Sequence, residues 1–281
     1  MQITQRIVAL LLFCSGICSG GMAAASAQDK APAENGPAKL QLVAEEAAYQ
    51  PGVPLWVGVI FRIDPGWHIY WQNPGDSGTP PKIIWRLPKG FRVGTVRWPL
   101  PVRLGKAPVI DYGYQGQVLL MAPVLSPVNS IAPAAITADV EYVVCSGVCI
   151  PAKTQLTLTV PPLPGRTEHP SPSSPLFEAT RKQFPRPMPD SWDVSAELSR
   201  KGFLLTVNGV TPKQNVTFFP LDTGLIDNAA PQTQSAIDDG FTLTLPKSDL
   251  LTRYPRNLHG VVDIPGMGAF EIEAPVTAPP R

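Results

Sequence analysis

The stretch Ile136–Val160, ITADVEYVVCSGVCIPAKTQLTLTV, decides the fold. Its two ends read as strands. Ile136 to Val144 is rich in β-branched residues, and Thr154 to Val160 sets Leu156, Leu158 and Val160 against Thr157 and Thr159, the two-residue period of a half-buried strand. Between them lies Cys145-Ser146-Gly147-Val148-Cys149. Fully extended, this segment would hold the two Cα atoms about 13 Å apart at ~3.3 Å per residue. A disulfide needs roughly 4.4–6.8 Å. A bridge therefore requires the chain to turn back on itself, and Gly147 at the centre permits the tight backbone angles. Two antiparallel strands would then present the cysteines to each other across a hairpin. Pro151 is expected to interrupt the ladder just after Cys149.

Working outward, the same short-strand texture recurs. Leu55, Val57 and Val59 alternate with Trp56 and Gly58. Trp67 to Trp71 places Trp67, Ile69 and Trp71 on one face of a strand and His68 and Tyr70 on the other. Asn73 to Gly78 is a turn cluster, followed by strand candidates at Lys82 to Leu87, Arg92 to Trp98 and Gln117 to Val124. About seven strands at this spacing predict an all-β, immunoglobulin-like sandwich over residues 40–162. Pro161 to Pro189 holds nine prolines and reads as an extended, Pro-rich linker (163–190) with a helical turn or two around Leu176 to Gln183. Beyond it, strand-like runs from Trp192 to Ala274 predict a second, smaller β-sandwich-like domain at 191–281, without cysteine.

The N-terminus bears on compartment. Met1 to Arg6 is short and basic, Ile7 to Ile17 is apolar, and Ala25-Ser26-Ala27 supplies small residues for cleavage near Ala27. Residues 1–27 thus read as a secretory signal peptide, with 28–39 a flexible polar tether. No later segment approaches the ~18 consecutive apolar residues of a spanning helix, so the mature chain is expected to be periplasmic and not itself membrane-spanning. The formal charge of +1, with no basic cluster, excludes a nucleic-acid footprint. Proline, at 34 of 281 residues, disfavours long helices.

Cys14 and Cys18 leave with the signal peptide, so Cys145 and Cys149 have only each other. Closing a loop of about five residues contributes on the order of 2 kcal/mol through chain entropy, against nearer 4 for a loop of many tens. A short-loop bridge is a weak staple but a serviceable two-electron switch. Spacing leaves a redox pair and a structural disulfide both open. A third reading, two thiolates holding Cu(I), follows from the softness of that ion. Trp67, Trp71, Trp85 and Trp98 are better read as sandwich core than as a sugar-stacking platform. Asp76 and Asp111 are candidate proton-transfer groups near the thiols, with a turn-forming role favoured for Asp76. His169 and His259 are assigned to the surface.

Several motifs then converge: Pro65 to Gly78 (PGWHIYWQNPGDSG), Trp98-Pro99, Tyr112-Gly113-Tyr114-Gln115-Gly116 and Val144 to Pro151 (VCSGVCIP). Together they resemble the N-terminal, periplasmic, immunoglobulin-like domain of the thiol:disulfide interchange protein DsbD. The ScsB copper-sensitivity-suppressor branch is the nearer match, since three residues separate the cysteines whereas the DsbD type has a longer loop. The resemblance spans about Leu40 to Pro162. It implies that Cys149 exchanges with partners through mixed disulfides and that Cys145 resolves them. It implies that Asp111 to Gly116 caps the site, with Tyr112 or Tyr114 as the shielding aromatic, and that His68 and Tyr70 line the pocket. It implies a thioredoxin-like periplasmic thiol protein as one partner, a separate membrane-embedded electron donor as the other, and no cofactor. The alternative is a non-enzymatic module binding Cu(I) through Cys145 and Cys149, or an envelope protein, in copper tolerance.

Overall fold

A computed structural model describes residues 33–163, 165 and 169–277; the expected signal peptide lies outside them. The first domain runs through β1 (Ala33–Asn35), β2 (Ala38–Ala44), β3 (Pro54–Ile63), β4 (Ile69–Gly75), β5 (Lys82–Arg86), β6 (Arg92–Val93), β7 (Val102–Lys106), β8 (Val109–Tyr114), β9 (Gln117–Leu125), β10 (Ala134–Ser146) and β11 (Val148–Val160). One layer is the sheet β1-β2-β3-β9-β6. The other comprises β11-β10-β5 and β4-β8-β7. These two pieces meet where the His68 amide donates to the Cys145 carbonyl (3.0 Å) and the Cys145 amide donates back (2.9 Å). Alternation does the rest: Leu40, Val57, Val59, Phe61 and Leu120 from the first layer share one core with Ile136, Val140, Leu156 and Leu158 from the second. Trp71 is fully buried in it, and Trp67, Trp85 and Trp98 pack against it, as core tryptophans should.

Three expectations change. Residues 33–39, expected to be a loose tether, instead form a β1–β2 hairpin around Gly36, whose φ of 65° suits glycine. Pro151 does not interrupt the ladder: β10 and β11 pair continuously from Ala134↔Val160 to Ser146↔Val148, with Val143 opposite Pro151. The Pro-rich segment is not an extended spacer. The helical turns expected around Leu176 to Gln183 are present as helix α1 (Ser174–Arg181), with proline in the first turn where a missing N–H costs nothing; what changes is that the segment packs on the first domain. Its Phe177 is fully buried among Val43, Ile60, Leu119 and Met121 on the outer face of the first sheet. Arg181 grips Glu45 with both guanidinium nitrogens, and the Leu100 amide donates to the Gln183 carbonyl (2.9 Å).

The second domain contains β12 (Arg186–Pro187), β13 (Asp193–Leu198), β14 (Gly202–Asn208), β15 (Thr217–Pro220), β16 (Thr233–Ile237), β17 (Gly240–Pro246), β18 (Asn257–Ile264) and β19 (Gly268–Thr277). The order β15-β18-β19-β13-β14-β17-β16 folds about β19, so that Phe203, Leu205 and Leu243 of one half share a core with Phe218, Val262 and Ile272 of the other. This domain docks on the first through Phe219. That ring stands edge-on to Trp71 and Tyr112, at centroid distances of 6.3 and 5.4 Å.

Candidate active site

Cys145 and Cys149 are paired directly across the β10–β11 hairpin and form a disulfide with Cα atoms 4.2 Å apart. The backbone N–H and C=O of Cys145 both point to His68, away from β11. The two cysteines therefore occupy a non-hydrogen-bonded position, the closely spaced kind of cross-strand pair. Val143 and Pro151 lie two residues further along and share that character. Pro151 thus occupies a position whose N–H would face away from the ladder, on an edge strand, and no ladder bond is lost. Gly147, with φ of 72°, closes the turn.

The two sulfurs are not equivalent. Cys145 is 3 % exposed, because β10 has neighbours on both sides. Cys149 is exposed, because β11 is the edge. Over the pair lies Tyr70, whose hydroxyl donates to Cys145 Sγ at 2.9 Å and sits 3.7 Å from Cys149 Sγ. Burial raises the Tyr70 pKa above its ordinary 10, only partly offset by Ser77, so the phenol is a proton donor at neutral pH. His68 stands edge-on to Tyr70 at 5.2 Å. Its Nε2 is 3.8 Å from Asp111 Oδ2, an electrostatic contact too long for a hydrogen bond. Burial lowers the His68 pKa and outweighs the opposing pull of Asp111. Asp111 spends its carboxylate on Ser77, accepting the amide on Oδ1 and the hydroxyl on Oδ2, both at 2.9 Å.

The structure thus gathers Cys145, Cys149, His68, Tyr70 and Asp111. It does not place Tyr112 or Tyr114 on the disulfide. Both face the core: Tyr112 donates to Asn228 Oδ1 (2.9 Å) and Tyr114 to the Pro99 carbonyl (2.7 Å). The aromatic that lies on the sulfurs is Tyr70 instead, because β8 turns residues 112 and 114 inward while the His68/Tyr70 face of β4 meets the hairpin. Asp76 is structural, its Oδ2 taking the Ile110 amide (2.7 Å). Sequence reasoning missed Ser77 and Gly78. Gly78 approaches the Tyr70 ring so closely that a Cβ there would overlap its Cζ and Cε atoms; the last glycine in NPGDSG was the available signal. Exposed Val148 and Ile150 flank Cys149, and a groove lined by Pro80, Tyr142, Val143 and Pro151 runs beside the hairpin. Among the described residues no group of three or more His, Cys, Asp or Glu is placed to hold a metal ion.

Residues 39–161 match the family described as thiol:disulfide interchange protein DsbD, N-terminal. This segment belongs to that family. The DsbD-type domain therefore carries its paired cysteines on the β10–β11 hairpin. In overall fold the chain is similar to the N-terminal periplasmic domain of ScsB from Proteus mirabilis, with a TM-score of 0.64 at 18 % identity, covering 90 % of this chain and 99 % of that one. The periplasmic chaperone SfaE aligns at 12 % identity, with a TM-score of 0.20, covering 85 % of this chain and 100 % of that one, too distant to bear on the fold. No curated protein sequence matches the chain. No helix among the described residues is long and apolar enough to cross a membrane.

Proposed function

We propose that this protein is a periplasmic thiol–disulfide exchange carrier, passing electron pairs from a membrane-embedded donor to a thioredoxin-like thiol protein. The observation that carries this reading is the asymmetry of the pair: an exposed sulfur at Cys149, and a buried one at Cys145 with a phenol donating to it. A donor thiolate attacks Cys149 Sγ, the S–S bond breaks, and Cys145 leaves as a thiolate stabilised by Tyr70. The donor's second thiolate then attacks its own sulfur in the mixed disulfide and frees Cys149, so two electrons enter this protein and the donor is oxidised. Discharge reverses the roles. Cys149 thiolate attacks the acceptor disulfide, Cys145 resolves the mixed disulfide, and the acceptor leaves as a dithiol. The exposed Val148 and Ile150 supply an apolar rim for either partner.

The test is trapping. Reduced Cys145→Ser should accumulate a mixed disulfide with an oxidised thioredoxin-like acceptor, since the Cys145 thiolate that resolves it in the discharge step is gone, and Cys149→Ser should form none. Equal trapping by both variants would sink the assignment. A reduction potential of roughly −270 to −180 mV would mark an exchangeable carrier, and a value below about −300 mV a structural bridge.

A further inference from the structure

The turn that leaves β4 is held from the second domain. Asn73 Nδ2 donates to the Pro220 carbonyl (2.8 Å) and the Asp222 carbonyl (3.3 Å). Three residues on, Asp76 accepts Asn228 Nδ2 on Oδ1 at 2.7 Å. Asn228 is 7 % exposed and is pinned in turn: its Oδ1 accepts the Tyr112 hydroxyl, and its carbonyl accepts the Arg103 guanidinium. Both ends of one buried amide are thus committed to the first domain. The residues it grips each stand beside a site residue, Asp76 next to Ser77 and Tyr112 next to Asp111. The apolar contact of Phe219 with Trp71 and Tyr112 already joins the domains, so docking alone does not call for this bridge.

We infer that Asn228 is a positioning residue for the disulfide: by holding Asp76 it fixes the 73–78 turn, which presses Gly78 on the Tyr70 ring and keeps the Tyr70 hydroxyl on Cys145 Sγ. The second domain then helps set the reactivity of a bond it does not touch. The biological meaning rests on the exchange reading above, but the coupling itself is measurable with a reagent that needs no partner.

A water-soluble phosphine is that reagent. It attacks Cys149 Sγ and expels Cys145 as a thiolate. Water then hydrolyses the thiophosphonium, breaking its P–S bond to give phosphine oxide and the free Cys149 thiol, phosphorus supplying both electrons. Asn228→Ala should slow this reduction by about two- to fivefold, the range set by part of one hydrogen bond to a developing thiolate. In a Tyr70→Phe background the same substitution should change nothing further. Asn228→Asp adds a pH readout. It keeps the acceptor for Tyr112 but sets a carboxylate against Asp76, amid Asp227, Arg103, Tyr112, Lys247 and Asp249. It should be slow at neutral pH and rejoin the wild-type rate as the pair takes up a shared proton, above the ordinary carboxylate range because like charges raise it. Circular dichroism confirms folding, and Asn228→Asp carries the test if Asn228→Ala does not fold. An unchanged rate in these variants, or a loss that adds in full to that of Tyr70→Phe, overturns the inference. A wild-type pair that never exchanges with any thiol protein would defeat the carrier reading while leaving this coupling to be judged on its own data.

Discussion

Tyr70→Phe tests the chemistry at a single atom. The ring stays, so Gly78 keeps its contact and the cover over the pair is unchanged; what goes is the hydroxyl 2.9 Å from Cys145 Sγ. A hydrogen bond to an ionised group is worth about 1.5–3 kcal/mol, and one between neutral groups about 0.5–1.5. Against a neutral disulfide sulfur the phenol makes the weaker kind, and against a departing Cys145 thiolate the stronger. The difference, about 1–2 kcal/mol, stabilises the thiolate form over the disulfide. At 30 mV per 1.4 kcal/mol for a two-electron couple, losing it should move the potential about 20–40 mV more negative at a pH where Cys145 is ionised. If half that charge has developed in the transition state, reduction slows roughly two- to fivefold. Stopped-flow reduction by dithiothreitol gives the rate, and equilibration in dithiol buffers gives the potential. A faster reduction in Tyr70→Phe would refute the reasoning, since it would mean that the hydroxyl shields the bond rather than assisting its cleavage.

Two further predictions use other parts of the molecule. The His68 pKa is depressed by burial, so between the folded value and the ordinary 6.5 the unfolded chain binds more protons. His68 therefore favours the fold fully above about pH 6.5 and progressively less as pH falls through that window; urea unfolding of His68→Gln at several pH values should show a shallower acid loss than wild type, and parallel curves would count against it. Phe177→Ala empties a fully buried site and should cost about 3–5 kcal/mol in urea unfolding while leaving the potential in place; a shifted potential would mean that α1 reaches the redox site.

What could be read from the chain follows from where the physics is local. The alternation at Thr154–Val160 and at Leu55–Val59 is set by the faces of single strands, and both became β-strands. The turn forced on Cys145–Cys149 follows from bond geometry alone. The β7–β8 hairpin was missed because Gly105, Pro108 and Gly113 break its pattern. Gly113 is there because a Cβ would stand 2.1 Å from the Ile69 carbonyl, a constraint written in another strand. β16 was missed because its residues are mostly exposed and carry no apolar period. At the site, His68 and Tyr70 could be placed together because alternation puts them on one face. Which aromatic meets the sulfurs depends on how β4 abuts β10, and that is a tertiary fact. Asn228 had no signal at all, being an isolated amide in a turn 116 residues from Tyr112.

The unequal exposure of the two sulfurs follows from sheet order rather than from any special chemistry of the cysteines. A pair bridged across a hairpin at the rim of a sheet always has one member on the edge strand and one on its inner neighbour. Here the inner strand, β10, is covered by β5 over residues 137–141 and by the His68 backbone at residue 145. Cys145 thus loses solvent on both flanks and gains a position under Tyr70, while Cys149 retains the open side. An exposed edge invites pairing with other chains, and β11 is protected along its length by Pro151, which offers no N–H, and by Lys153, which would bring a charge into any added strand. The rim beside Cys149 is therefore open to a partner's sulfur but poorly suited to an indiscriminate β-strand. One exposed and one buried sulfur, the asymmetry on which the exchange proposal rests, are thereby built into the order β11-β10-β5.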